Sequence, residues 1–238
     1  MRNLIHYIPV LTTIVSAAFA IVLFRRWAEK RTATYLLWWG IGVFMYGLGT
    51  LTESLTTIFG WNELVFRVWY ISGALFGAAP LAQGTVYLLF SRRVATILAV
   101  VLVLYGTVAA VFVLLTPIDM SLVETYRLSG RVMEWGWVRL FSPFINLYAL
   151  IFLVGGAAWS AWQYWRKKGM GSRVAGNVLI AAGALLPGIG GSMTRIGYVE
   201  VLYVTEIIGI TLIWLGYYVM VSDRAVSIHT AQQPKTTS

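Results

Sequence analysis

Seven apolar runs of bilayer length take up most of this sequence, at about 4–24, 33–53, 65–90, 94–116, 140–165, 174–196 and 201–221. A helix needs about 20 such residues to cross the hydrocarbon core of a membrane. The runs therefore predict an all-α membrane protein, a seven-transmembrane-helix bundle over 1–224. A polar cytoplasmic tail follows at 225–238, of a composition that suits disorder. Only 11% of the 238 residues are charged, against about 25% in a soluble domain, and no length remains for a second folded domain.

The placement of the charges predicts orientation. With the N-terminus outside, the inner segments hold Arg25, Arg26, Lys30, Arg31, Arg92, Arg93, Arg166, Lys167, Lys168, Arg173, Arg224 and Lys235, twelve of the eighteen basic residues. Only Glu29 and Asp223 among the nine acids fall on that side. Basic residues gather in cytoplasmic loops, so the C-terminus is expected inside, in a multi-pass protein of a bacterial inner (plasma) membrane. The net charge of +9 is then a topology signal with the lipid bilayer as partner, and no nucleic acid is implied. Ala18-Phe19-Ala20 has the look of a cleavage site, but the positive charge follows the first run. A signal peptide carries it in front, so the run is expected to be an uncleaved span.

An internal repeat is visible. Phe24-Arg25-Arg26 aligns with Trp165-Arg166-Lys167, and the same offset carries Gly42, Gly47 and Gly49 onto Gly183, Gly188 and Gly190. Tyr87, Ser91 and Arg93 match Tyr218, Ser222 and Arg224. This spacing makes a parallel 3+1+3 repeat with the fourth helix as linker. Coincidence is the alternative, because glycine is common in membrane helices. Gly73 and Gly77 form a small-x-x-x-small packing motif, and Pro80 and Pro187 should kink their helices.

Ionisable residues within the runs mark the candidate site, since a charge at the bilayer centre costs about 2.5–3.5 kcal/mol on insertion scales. Glu53 closes the second helix, Arg67 opens the third, Arg195 closes the sixth, and Glu206 lies two turns into the seventh. All four fall in the outer half. One reading is a rim network of ion pairs that keeps the helices in register. The other is an outward-facing, ligand-binding polar pocket with Glu206 deepest, lined also by Asn146, Tyr203, Thr52 and Thr194. Gln83, below Pro80, either lines a path inward or bonds across helices. Most tryptophans, Trp61 and Trp69 among them, are expected at the membrane interfaces.

Several chemistries find no residues. There is no cysteine, and none of the four lysines lies within a helix, which excludes a retinal-type Schiff base. His6 and His229 are too far apart to share a metal. Ser192, in Gly-Gly-Ser-Met, lacks the rhomboid-protease context, and no phosphate loop or dinucleotide fingerprint occurs. No enzyme activity, cofactor or metal is expected.

The stretch Trp38-Trp39-Gly40 through Gly47-Leu48-Gly49-Thr50-Leu51-Thr52-Glu53, with Arg67-Val68-Trp69-Tyr70 after it, resembles the seven-helix membrane input region of bacterial sensor histidine kinases. That likeness implies a sensor-like receptor. No kinase follows Arg224, so it further implies a stand-alone module that signals through a membrane or cytoplasmic partner. The 3+1+3 plan is similar to that of the SWEET and PQ-loop transporters, although Pro80 is followed by Leu81 and Pro187 by Gly188 in place of their Pro-Gln signature. A small-molecule transporter, or a structural or partner-binding membrane subunit, is the alternative expectation.

Overall fold

Nine α-helices follow one another in the computed structural model, which describes the backbone of residues 4–167 and 169–232, and side chains except those of 195 and 223–232. They are α1 (Ile8–Glu29), α2 (Thr34–Phe59), α3 (Glu63–Trp69), α4 (Ala79–Leu89), α5 (Arg92–Leu115), α6 (Phe141–Ala149), α7 (Gly156–Trp165), α8 (Gly171–Arg195) and α9 (Val199–Gln232). A 3-10 turn, Leu4–Tyr7, leads into α1. Among the described residues no strand forms, only two isolated bridges, Ile118 with Met133 and Glu124 with Arg127.

Among the described residues, six helical stretches are long and apolar enough to cross a membrane: Leu4–Glu29, Glu63–Leu89, Arg92–Leu115, Gly136–Trp165, Gly171–Thr194 and Val199–Ser222. Their outward faces suit lipid. On α5, Ile97, Val100, Val101, Leu104 and Leu114 are all about half exposed or more, a continuous apolar surface that water would not tolerate on a soluble domain. The second expected helix is present as α2 but is not one of the six. Its glycines, threonines, tyrosines and tryptophans dilute its hydropathy. Thirteen of its 26 residues are buried, because it runs through the middle of the assembly against α1, α4 and α9. Several of its hydroxyls bond carbonyls of the same helix, as where Ser54 donates to the Thr50 carbonyl at 2.8 Å and Thr56 to the Thr52 carbonyl at 2.9 Å.

Side-chain contacts fix the directions. Thr13 and Thr50 hydroxyls meet at 3.0 Å, and Phe24 packs on Gly40, so α1 and α2 are antiparallel. Phe19 stacks on Trp214 at 5.2 Å while His6 meets Tyr203, so α1 and α9 run the same way. Gly197, at φ +108°, closes α8. Its N–H bonds the Thr194 carbonyl and that of Tyr198 bonds Met193, each at 3.1 Å. This is a Schellman closure, and its left-handed residue is glycine for want of a Cβ. The last two helices are therefore joined by a tight turn.

Three expected helices differ in detail. The third is not one rod kinked at Pro80. It runs from α3 through a π-helical segment, Tyr70–Leu75, breaks at Phe76–Ala78, and restarts as α4 with Pro80 in its first turn. Proline starts helices well because the N–H it lacks would be unpaired there anyway. The break depends on Gly77, where a Cβ would sit 2.5 Å from the Gly73 carbonyl oxygen. The fifth helix also carries a π segment, Leu150–Gly155, between α6 and α7. The seventh extends as helical backbone to Gln232, eight residues into the expected tail; 233–238 lie outside the described residues. Pro187 lies inside α8, as expected.

Two apolar clusters result. One gathers Phe19, Leu23, Trp39, Val43, Leu81 and Ile210 between α1, α2, α4 and α9. The other gathers Phe66, Leu75, Val113, Val138 and Ile145 under the long connection between α5 and α6. In that connection Asp119 is held below its usual carboxylate range by the hydroxyl and N–H of Ser121, which donate at 2.6 and 2.9 Å.

Candidate functional site

The site grows from a helix register. On α2, Gly49 and Glu53 lie four residues apart and so share a face; on the facing chain Trp69 and Gly73 do the same. The two elements cross where Gly49 meets Gly73, and a Cβ on Gly49 would stand 3.0 Å from the Gly73 Cα. Antiparallel pairing then sets Trp69 opposite Glu53. The indole Nε1 of Trp69 donates to Glu53 Oε1 at 3.0 Å.

From the other side α9 supplies Glu206. Tyr46, seven residues before Glu53 and on the same face of α2, donates its hydroxyl to the Glu206 carbonyl oxygen at 2.9 Å. Glu53 and Glu206 lie close enough to interact electrostatically. Each has one buried oxygen, Oε2, with no hydrogen-bond partner. Glu53 is only 5% exposed.

The groups around the pair are few. Tyr203, a turn before Glu206, is buried, and the fields of Glu53, Glu206, Glu200 and Arg127 all reach its phenol. Arg127 comes from the α5–α6 connection, pairs with Glu124 at 3.2 Å and donates to the Thr194 carbonyl at 2.8 Å. At the rim His6 Nε2 lies 3.7 Å from Glu200 Oε1. Among the described residues no three histidine or acidic side chains gather as a metal site would require.

Of the residues singled out in the sequence, Glu53, Glu206 and Tyr203 are brought together. Arg67 is not with them. It pairs with Glu63 at 2.7 Å and donates to the carbonyls of Val113 and Thr116, closing the end of α5. A glutamate four residues away on its own helix captures it before Glu53 can. The side chain of Arg195 lies outside the described residues. Asn146 is exposed and donates at 3.3 Å to the Ala74 carbonyl, in the π segment just before the break. Gln83 bonds across helices: it is wholly buried, donates to the Ala95 carbonyl at 2.8 Å and accepts from the Tyr148 hydroxyl. Thr52 and Thr194 bond carbonyls of their own helices.

Tyr46 and Trp69 were not legible as site residues. Trp69 reads as an interface aromatic, yet its buried edge needs an acceptor. The spacings Tyr46 to Glu53 and Trp69 to Gly73 were the signal available. Comparison of the chain with family models, with curated proteins and with solved structures finds no match in any of the three.

Proposed function

We propose that this chain is a sensor-like membrane protein whose input element is the Glu53–Glu206 carboxyl pair. One observation carries the reading: the buried Glu53 and the part-buried Glu206 come from different helices, lie close enough to interact electrostatically, and each has a buried oxygen with no hydrogen-bond partner. Intramembrane ionisable groups that pair with one another mark proton and ion sites. The input is then a proton gained or lost by the pair, and its consequence is a shift of α9 against α2. On this reading α2 is the seventh span, the N-terminus lies outside, and the pair sits in the outer half of a plasma membrane. The output runs along α9. Its 34 residues measure ~51 Å at 1.5 Å per residue, against a hydrocarbon core of ~30 Å. The surplus emerges at the basic end, where a signalling partner would meet it. No catalytic step belongs to this function.

The parallel repeat fits the same plan. Gly42 and Gly49 meet the following helical element at Leu81 and Gly73, and their counterparts Gly183 and Gly190 meet α9 at Gly209 and Leu202. Gly47 packs on Ser16 of α1, whereas Gly188 has nothing within 4 Å, so one of three correspondences is lost.

The broken third helix favours a second reading, proton-coupled transport, because interrupted helices line binding sites in transporters. The test uses the full chain in lipid nanodiscs and proteoliposomes. Infrared difference spectra across pH should show a carboxyl C=O band that Glu53→Gln and Glu206→Gln each remove. Hydrogen exchange in the distal part of α9 should change with pH in the wild type and not in Glu206→Gln. An unchanged exchange pattern would make the pair structural. Proton flux in proteoliposomes that Glu206→Gln abolishes would favour the transporter.

A further inference from the structure

The far end of the assembly holds a different arrangement. Between the α1–α2 corner and the start of α5 lies a cleft of about 300 Å³, walled by Lys30, Thr32, Thr34, Tyr35, Tyr87 and Arg92. Two cations thus face one cavity. Among the described residues neither Lys30 nor Arg92 has an acidic partner. The three ion pairs, His6–Glu200, Arg67–Glu63 and Arg127–Glu124, all lie at the opposite end. Of the neighbouring cations, Arg31 stacks on Trp27 at 4.1 Å and Arg26 lies over Tyr217 at 5.7 Å, while Arg93 lines the adjoining face of α5. Two unpaired like charges with hydroxyls between them make a poor empty site and a good anion site.

A second feature identifies the anion. Arg92 also heads a shallow apolar groove that runs along α5 over Thr96, Ile97, Val100 and Val101. The groove points from the cationic cleft along a helix of spanning length. A free phosphate would use the cleft alone. A molecule with an anionic head and a hydrocarbon tail would use both.

We propose that an acidic phospholipid docks here, its phosphate between Lys30 and Arg92 and one acyl chain along the Ile97–Val101 face of α5. Basic pockets between membrane helices are suited to such headgroups. The cleft stands apart from the Glu53–Glu206 pair and does not depend on what that pair does.

The test measures binding of phosphatidylglycerol to the delipidated full chain in neutral detergent by native mass spectrometry. Phosphatidylcholine and inorganic phosphate are measured alongside. Phosphatidylglycerol should bind in preference to both. Lys30→Ala and Arg92→Ala should each weaken it by about fivefold, and the double variant by about 25-fold. Arg166→Ala with Lys167→Ala, on the same end but outside the cleft, should leave it unchanged. Val100→Asp, in the groove, should weaken the lipid and leave any phosphate binding alone. Inorganic phosphate binding as tightly as the lipid would overturn the proposal in favour of a simple anion site. Equal losses in the Arg166/Lys167 variant would overturn it in favour of diffuse attraction to a basic surface.

Discussion

At one end of the assembly Glu53 is sealed between α2, α9 and the π segment after α3, with Trp69 bonded to it and a second carboxyl in reach. At the other end Lys30 and Arg92 stand in an open cleft with no acid opposite. Both ends carry ionisable groups, but burial separates them. A buried charge must be partnered or neutralised, and the partners must be held by packing. An exposed cation at the headgroup level needs no internal partner and stays available to whatever arrives. Substitutions should therefore disturb folding at the carboxyl end and binding at the basic end.

The largest effect should come from the crossing that creates the carboxyl site. Gly49→Leu forces a side chain into a gap where even a Cβ would stand 3.0 Å from backbone. Overpacking of this kind costs about 3 kcal/mol, and thermal unfolding in detergent should show it as a drop of about 10 °C. Gly188→Leu is the contrast, because nothing lies within 4 Å of that position. Its melting temperature should move by no more than about 2 °C. Equal losses at both glycines would mean that helix–helix packing does not hold the carboxyl end together.

How far the sequence reveals this difference depends on what kind of force sets each feature. Apolar run length is imposed by the bilayer, so the positions of the helices could be read directly. The turn at Gly197 could be read because a single glycine closes α8. The break at Phe76–Ala78 could not, since it comes from the close approach of Gly77 to the Gly73 carbonyl rather than from Pro80. Glu53 and Glu206 could be placed in the same layer by counting helix turns. That they face each other, and that Arg67 is diverted to Glu63 and the end of α5, depends on helix rotation. Periodicity constrains rotation only loosely in α2, where glycine, threonine and tryptophan blur the apolar face.

An intermediate effect is expected at Gln83, which is bonded to the first turn of α5. Gln83→Leu leaves the Tyr148 hydroxyl and the Ala95 carbonyl without the partners they have now. Cross-helix bonds in membrane proteins contribute about 0.6 kcal/mol on average, so the two together should cost about 1 kcal/mol. Chemical denaturation in mixed micelles resolves such a change. Asn146→Leu removes one longer bond at an exposed position and should cost less. If Asn146→Leu proved the more damaging, the Ala74 carbonyl at the helix break would be the weak point of the fold.

The smallest effect on folding should follow the change of greatest nominal charge. Removing both Lys30 and Arg92 takes two units from the basic end, yet no hydrogen bond or ion pair of the folded chain is lost among the described residues. In neutral detergent the double alanine variant should melt within about 2 °C of the wild type. Relief of repulsion between the two cations tends to raise the value, and the loss of apolar side-chain stem tends to lower it. Adding salt should screen that repulsion in the wild type and bring the two melting temperatures closer still. A larger loss, erased by restoring the charges as Lys30→Arg with Arg92→Lys, would place these cations among the forces that build the bundle. The two ends would then differ only in burial and not in what their charges do.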